Sequence, residues 1–297
     1  MPHHLTKSCP ICDHNEFSEF LTCTDFFTTG ETFDLKRCKN CGFLFTQNFP
    51  SEAIIGKYYE VPDYVSHSDT KTGIVNYLYH SARKLMLKLK ANRVIKSSGV
   101  QTGTVLDYGC GTGYFVREME SRSWNSIGIE KSYAAREFAQ SAFNSTFYEP
   151  EYLMSVADES CDVVTLWHVL EHVEHLDLLI EQLKRVLKPN GVLVLALPNA
   201  ESFDAKYYRE YWAAYDVPRH LWHFSAKTVS LLCDKHTLKL VDSKGMPLDA
   251  FYISMLSEKN RGARFSFLKG MWVGAHAFVS SLSDKSKYSS MIYIIKK

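Results

Sequence analysis

No stretch of this chain approaches the ~20 consecutive apolar residues needed to cross a bilayer, although 45% of its 297 residues are hydrophobic. The start, Met1-Pro2-His3-His4-Leu5, carries no apolar core of signal-peptide length, so a cytoplasmic location is expected. A surplus of either charge is also missing, with 34 basic against 33 acidic side chains. Proteins built mainly to grip nucleic acid show a basic face and a high pI, so that class is disfavoured. Internal repeats and low-complexity tracts are absent too. What is present is enough apolar material for a full α/β core and a small second module. In a reducing compartment the eight cysteines read as metal ligands and packed thiols, not as disulfides.

Three regions follow one another. Residues 1–60 are loop-rich, with two Cys pairs and short β-like stretches at Phe33–Lys36 and Gly42–Phe45. Residues 61–98 begin with polar turn residues and then become helical. Residues 99–297 alternate strand and helix, the pattern of a parallel sheet wrapped by helices. Strands are expected at Thr104–Tyr108, Ser126–Glu130, Thr146–Tyr148, Cys161–Trp167 and Gly191–Leu197, with helices near 113–121, 132–142 and 174–187 between them. A helix near 226–236 and strands at 238–242 and Ser290–Ile295 would complete the sheet.

The strongest chemical signal is Val105-Leu106-Asp107-Tyr108-Gly109-Cys110-Gly111-Thr112-Gly113, set between a strand and a helix. Glycines there let the backbone turn sharply and approach a ligand where a Cβ would clash. Gly128-Ile129-Glu130 ends the next strand and places a carboxylate where it could accept from both hydroxyls of a ribose. Asp107 precedes the glycines. It would repel a pyrophosphate and attract the ammonium and sulfonium of S-adenosylmethionine (SAM). The spacing is D-x-G-x-G-x-G, which differs from the dinucleotide G-x-G-x-x-G.

Asp107–Gly113, Glu130, Asp162–Trp167 and Leu187-Lys188-Pro189-Asn190-Gly191-Val192-Leu193 together resemble the successive motifs of class I SAM-dependent methyltransferases, over roughly residues 99–245. The resemblance implies a Rossmann-like α/β fold with a seven-stranded sheet holding one antiparallel strand. It also implies SAM across the carboxyl ends of the first strands, held by Asp107, Gly109, Gly111, Gly113 and Glu130, with His168 near it. That family usually ends its third strand with an acid at the adenine amine. Here Phe147-Tyr148-Glu149-Pro150 stands there, which makes Glu149 the candidate.

After the fourth strand comes Trp167-His168-Val169-Leu170-Glu171-His172. Read alone, His168-x-x-Glu171-His172 is a zinc-protease pattern, but that chemistry needs both histidines on one helix face, and here His168 falls at a strand tip. Glu171 and His172 instead resemble a Glu-His pair of small-molecule methyltransferases. In that reading His172 takes the acceptor's proton and Glu171 orients its ring.

Cys9-x2-Cys12 and Cys38-x2-Cys41 lie 25 residues apart, a spacing that suits one tetrahedral Cys₄ zinc site with a structural role. Cys23, Cys110, Cys161 and Cys233 lack paired spacing and read as core or turn residues. A zinc ribbon ahead of a methyltransferase resembles two groups, ribosomal RNA guanine methyltransferases and enzymes of sugar and glycan biosynthesis. Residues 1–60 hold five Lys or Arg against eight Asp or Glu, a poor surface for RNA phosphates. The spacing and the trailing Tyr58-Tyr59…Tyr64-Val65-Ser66-His67 resemble the sugar group, which implies that the Tyr64 region folds over SAM as a lid. The expected organisation is therefore a zinc ribbon over 1–60, a helical linker and lid over 61–98, and a SAM-dependent methyltransferase domain over 99–297.

Beyond the fifth strand, residues 207–224 are dense in aromatic and charged side chains, ending in Pro218-Arg219-His220-Leu221-Trp222-His223-Phe224. Rings with a few polar groups suit a sugar face or a planar molecule, and Arg219 and His220 are the expected acceptor contacts. Residues 266–282 carry apolar residues at helical spacing, and from 261 onward seven Lys or Arg stand against one Asp. Core packing or a homodimer contact is expected of that helix, with peripheral membrane contact as the other reading. The sequence therefore predicts methyl transfer from SAM to a small polar acceptor, a sugar or glycan precursor. The alternatives are an rRNA or tRNA base methyltransferase and a non-catalytic SAM-binding protein.

Overall fold

The computed structural model describes residues 3–59 and 74–297; for residues 74–82 it describes the backbone alone. The expected Tyr64 lid lies outside the described residues. In chain order the strands are β1 (His3–His4), β2 (Phe17–Thr24), β3 (Thr32–Cys38), β4 (Leu44–Thr46), β5 (Phe49–Pro50), β6 (Thr104–Tyr108), β7 (Asn125–Ile129), β8 (Phe147–Tyr148), β9 (Cys161–Trp167), β10 (Leu187–Pro198), β11 (Trp222–His223), β12 (Lys239–Gly245) and β13 (Ser290–Lys296). A seven-stranded sheet takes the order β12-β13-β10-β9-β6-β7-β8, in line with the Rossmann-like reading. β6 pairs parallel with β7 and β9, and β7 with β8.

That order has a physical consequence. The chain winds outward from β6 through β7 to β8, then returns to the other flank of β6 as β9. Ligands of open α/β sheets bind where the winding reverses, at the carboxyl ends of the strands. The Gly-rich turn leaves β6 at that reversal. The run Gly191–Leu197 is wholly buried, as a strand covered on both faces must be.

Two compact units make up the chain. One comprises 62–167, 178–195 and 294–297; the other comprises 1–61, 168–177 and 196–293. Within the latter a four-stranded antiparallel sheet runs β11-β4-β3-β2. Its edge strand β11 comes from the 199–224 stretch and pairs Trp222 with Phe45 and His223 with Leu44. A shared core joins Leu35, Leu44 and Tyr58 to Tyr208, Trp212 and Tyr215. Residues 1–60 thus do not pack as a separate bead, because their sheet is completed by a strand some 180 positions on.

Helix ends obey local rules. Ser132, Ser202 and Ser225 each accept a backbone N–H three residues on, which satisfies a donor the first turn leaves open.

Candidate functional site

The turn after β6 is built from backbone that only glycine adopts easily. Gly109, Gly111 and Gly113 all have positive φ, at 75°, 55° and 76°. At Gly113 a Cβ would sit 2.5 Å from Cζ of Phe147, whereas at Gly111 it would meet nothing within 4 Å. The first glycine lets helix and strand close up; the second leaves open space above the turn. The Gly109 and Cys110 amides donate to the Ile129 carbonyl at 2.7 and 3.0 Å, pinning the turn to the end of β7.

Two carboxylates frame that space. Glu130 accepts from the amides of Gly111 and Ser132, each at 2.8 Å, and each of its oxygens keeps a second lone pair for a ligand hydroxyl. Asp107 is buried and accepts from the Thr165 hydroxyl at 2.6 Å. Burial pushes its carboxyl up to about 7, against the Thr165 hydrogen bond and the Lys90 charge. A buried carboxylate that is hard to ionise alone is one that a ligand cation would stabilise. Glu149 is exposed, 4.0 Å from Arg136, on the residue before Pro150.

In the other unit, a cluster gathers around Glu171. Its side chain is 1% exposed, and neither carboxylate oxygen accepts a hydrogen bond among the described residues. His168, with a left-handed φ of 58°, places Nδ1 3.6 Å from Glu171 and Nε2 3.6 Å from Asp249. His172 Nδ1 lies 3.0 Å from the Arg219 carbonyl and 3.1 Å from the Tyr59 hydroxyl. A carbonyl only accepts, so a hydrogen bond to it requires the proton on Nδ1 and leaves the lone pair on Nε2. His220 likewise donates from Nδ1 to the Ala214 carbonyl at 2.9 Å. The two rings meet edge to face at 4.5 Å. Burial, then the His220 charge, hold His172 down to about 4, so its lone pair is available at neutral pH. Donor atoms of Glu171, His172 and His220 lie within 4.8 Å of one another.

The four paired cysteines also converge. Cys9 and Cys41 stand 3.6 Å apart, as do Cys12 and Cys38, and all four sulfurs lie within 4.8 Å. Zn–S bonds of about 2.3 Å in a tetrahedron put sulfurs about 3.8 Å apart, so the cluster is compatible with a Cys₄ metal site. Each pair is shaped by a tight turn: Asp13 N–H to Cys9 C=O at 2.9 Å, and Gly42 N–H to Cys38 C=O at 3.0 Å. Cys23, Cys110, Cys161 and Cys233 are free thiols, three of them buried.

Residues 77–243 match a family model described as a methyltransferase domain. The chain belongs to the methyltransferase-domain family.

Curated relatives of this methyltransferase domain include the "Ubiquinone biosynthesis O-methyltransferase" of Rickettsia conorii, 26% identical over 46% of this chain and 48% of that one. The protein of the same name from a Chelativorans species is 33% identical over 32% of this chain and 40% of its own. The chain thus spans about half the length of the curated relatives it matches. Neither is named for a sugar. Among solved structures, coclaurine N-methyltransferase bound to N-methylheliamine and SAH superposes with a TM-score of 0.52 at 15% identity, over 83% of this chain and 82% of that one. A sarcosine dimethylglycine methyltransferase from Galdieria sulphuraria gives 0.51 at 14%, over 72% and 86%. Both likenesses speak to the fold.

The residues expected to contact the acceptor fall out unevenly. His220 joins the Glu171 cluster. Arg219 does not present its guanidinium to solvent: at 1% exposure it donates to Asp25 at 3.0 Å, Asp216 at 2.6 Å and the Tyr58 carbonyl at 2.9 Å. Its backbone carbonyl, by contrast, orients His172. Sequence reading did not assign roles to Tyr59, Asp216, Asp249 or Thr165. Asp216 sits three residues before Arg219, a local ion-pair spacing that could have flagged it. Tyr59 and Asp249 reach the cluster from distant segments and carry no such signal. A cavity of about 410 Å³ lies against this unit's sheet, lined by Phe20, Arg37, Lys206, Arg209, Tyr215 and His223 among others.

Proposed function

We propose that this chain transfers the SAM methyl group to a hydroxyl oxygen of a small polar acceptor, with His172 Nε2 taking the hydroxyl proton. The carrying observation is the 3.0 Å contact of His172 Nδ1 with the Arg219 carbonyl, which favours a proton on Nδ1 and a free lone pair on Nε2. The relatives' naming as O-methyltransferases supports oxygen as the receiving atom. A sugar hydroxyl remains the finer reading, drawn from the resemblance of the cysteine spacing to the sugar group, since Tyr208, Trp212 and Tyr215 of the aromatic stretch are core residues. Asp107 and Glu130 bind the ammonium and ribose of SAM, Gly109, Gly111 and Gly113 leave room for it, and His168 and Glu149 are the further cofactor candidates. The four cysteines hold a structural zinc ion, four thiolates leaving no open position for substrate.

His172→Ala should lower kcat about 10²–10⁴-fold with SAM affinity intact, scored as S-adenosylhomocysteine formed across a panel of hydroxylated acceptors. Unchanged turnover in that variant would discard the base. A second reading is favoured by the two unpartnered oxygens of Glu171: Glu171, His172 and His220 hold a divalent cation that lowers the acceptor's pKa. In that case Glu171→Gln would abolish turnover as fully as His172→Ala, and added cation would restore activity to chelated enzyme.

The burial of Asp107 sets a pH dependence. Its pKa is raised to about 7, so below that pH ionisation costs free energy, less as pH climbs, and a cation that needs the ionised form binds better as pH rises. SAM affinity should increase by up to about tenfold per unit from pH 5 to 7, with proton release on binding. Asp107→Asn should flatten the slope. A pH-independent calorimetric Kd in the parent enzyme would contradict the assignment.

A further inference from the structure

The helix Ser266–Ser283 is built inside out. Its inward face is small: Gly270, Val273, Gly274, Ala277 and Ser281 are buried. A Cβ on Gly270 would lie 2.5 Å from Cα of Met255, and one on Gly274 2.8 Å from Cα of Phe251, so this helix meets Asp249–Asn260 at backbone contact. Its large apolar residues point away from the protein. Leu268 is 66% exposed, Trp272 61% and Val279 63%, with Phe267, Met271 and Leu282 beside them. They recur every three to four residues as one stripe. Core packing, the first expectation for this segment, does not hold, because the stripe faces outward. A contiguous exposed apolar surface of this kind marks a binding face.

We propose that this stripe docks the protein on an anionic phospholipid bilayer, the helix lying in the plane of the headgroups. Charge selects that occupant. Between Arg261 and Lys287 there are five basic residues and one acid, Asp284, and that acid is paired with Lys287 at 3.8 Å. No Asp or Glu lies within the helix. A second copy seated by two-fold symmetry would set this basic surround against itself, whereas lipid phosphates complement it. Among the described residues no helix is long and apolar enough to cross a membrane, and 18 residues span about 27 Å, so the helix rests on the surface. Trp272, well exposed beside His276, suits the headgroup layer.

The test is vesicle sedimentation of the full chain with phosphatidylglycerol–phosphatidylcholine vesicles and with phosphatidylcholine alone, at low and high salt. The parent protein should pellet with the anionic vesicles, more weakly at high salt, and Trp272 fluorescence should shift to the blue. Leu268→Ser/Trp272→Ser/Val279→Ser should lose about tenfold or more of that binding while melting temperature and SAM affinity hold. Arg264→Glu/Lys269→Glu, which leaves the stripe intact, should lose a similar factor. Parent protein staying in the supernatant with anionic vesicles overturns the proposal, as does unchanged binding by the Ser variant. A parent dimer that the Ser variant converts to monomer would assign the face to a second copy instead.

Discussion

Replacing Arg219 with Leu should destabilise the protein by about 3–5 kcal/mol, the cost of stranding a buried ionic partner. Asp25 beneath it has a fully buried side chain, and Asp216 and the Tyr58 carbonyl also take its protons. Leu returns apolar volume but no donors, so two acids and a carbonyl lose a partner at once. The Asp25 loop softens the loss, since that carboxylate also accepts from the amides of Phe27, Thr28 and Thr29. Arg219→Lys should recover only part of the stability, because one ammonium cannot span three acceptors in a planar fork. Urea denaturation reads the difference. A Leu variant within about 0.5 kcal/mol of the parent, the usual range of surface changes, would show the network to be incidental. On the proposed role of His172, turnover should fall further, since the Arg219 carbonyl lies 3.0 Å from its Nδ1.

The second large effect concerns the four cysteines. If they hold zinc, the ion contributes on the order of 10–16 kcal/mol of apparent binding free energy to the folded segment. Residues 3–50 also share a core and a sheet edge with 199–224, so the loss falls first on the turns that carry the cysteines. Chelation, or Cys12→Ser, should therefore loosen those turns and lower the melting temperature. Far-ultraviolet circular dichroism and rapid proteolysis within residues 1–60 would report it, with about one zinc released per chain. Protein that contains no zinc as isolated and melts identically with and without chelator would remove the metal from the picture.

Much of the Gly-rich turn was legible because its logic is local. Asp107 through Gly113 is one turn, and the strands at Thr104–Tyr108 and Cys161–Trp167 fall where their apolar runs end at turn residues. The two Cys pairs needed only spacing. The boundary at Lys188 was less clear: β10 begins at Leu187, directly after the helix, although Pro189-Asn190-Gly191 reads as a turn. Long-range partnerships were not legible. Nothing in Asp25 foretells Arg219, 194 positions away, and Trp222–His223 is too short a strand to announce its pairing with Leu44–Phe45. For Ser266–Ser283 the apolar period was plain, yet a period says only that a stripe exists. The side it faces was written in the other set, Gly270, Gly274 and Ala277, whose small size marks where two backbones touch.

The strand at Trp222–His223 binds the fates of two regions that look separable on paper. Because it closes the edge of a sheet begun at residue 17, the 199–224 stretch and the cysteine module form one folding unit. Swapping either alone for a homologous segment would break a hydrogen-bonded ladder and a shared aromatic core together. Exchanging acceptor preference between such enzymes by recombination should therefore succeed only when both pieces travel as a matched set.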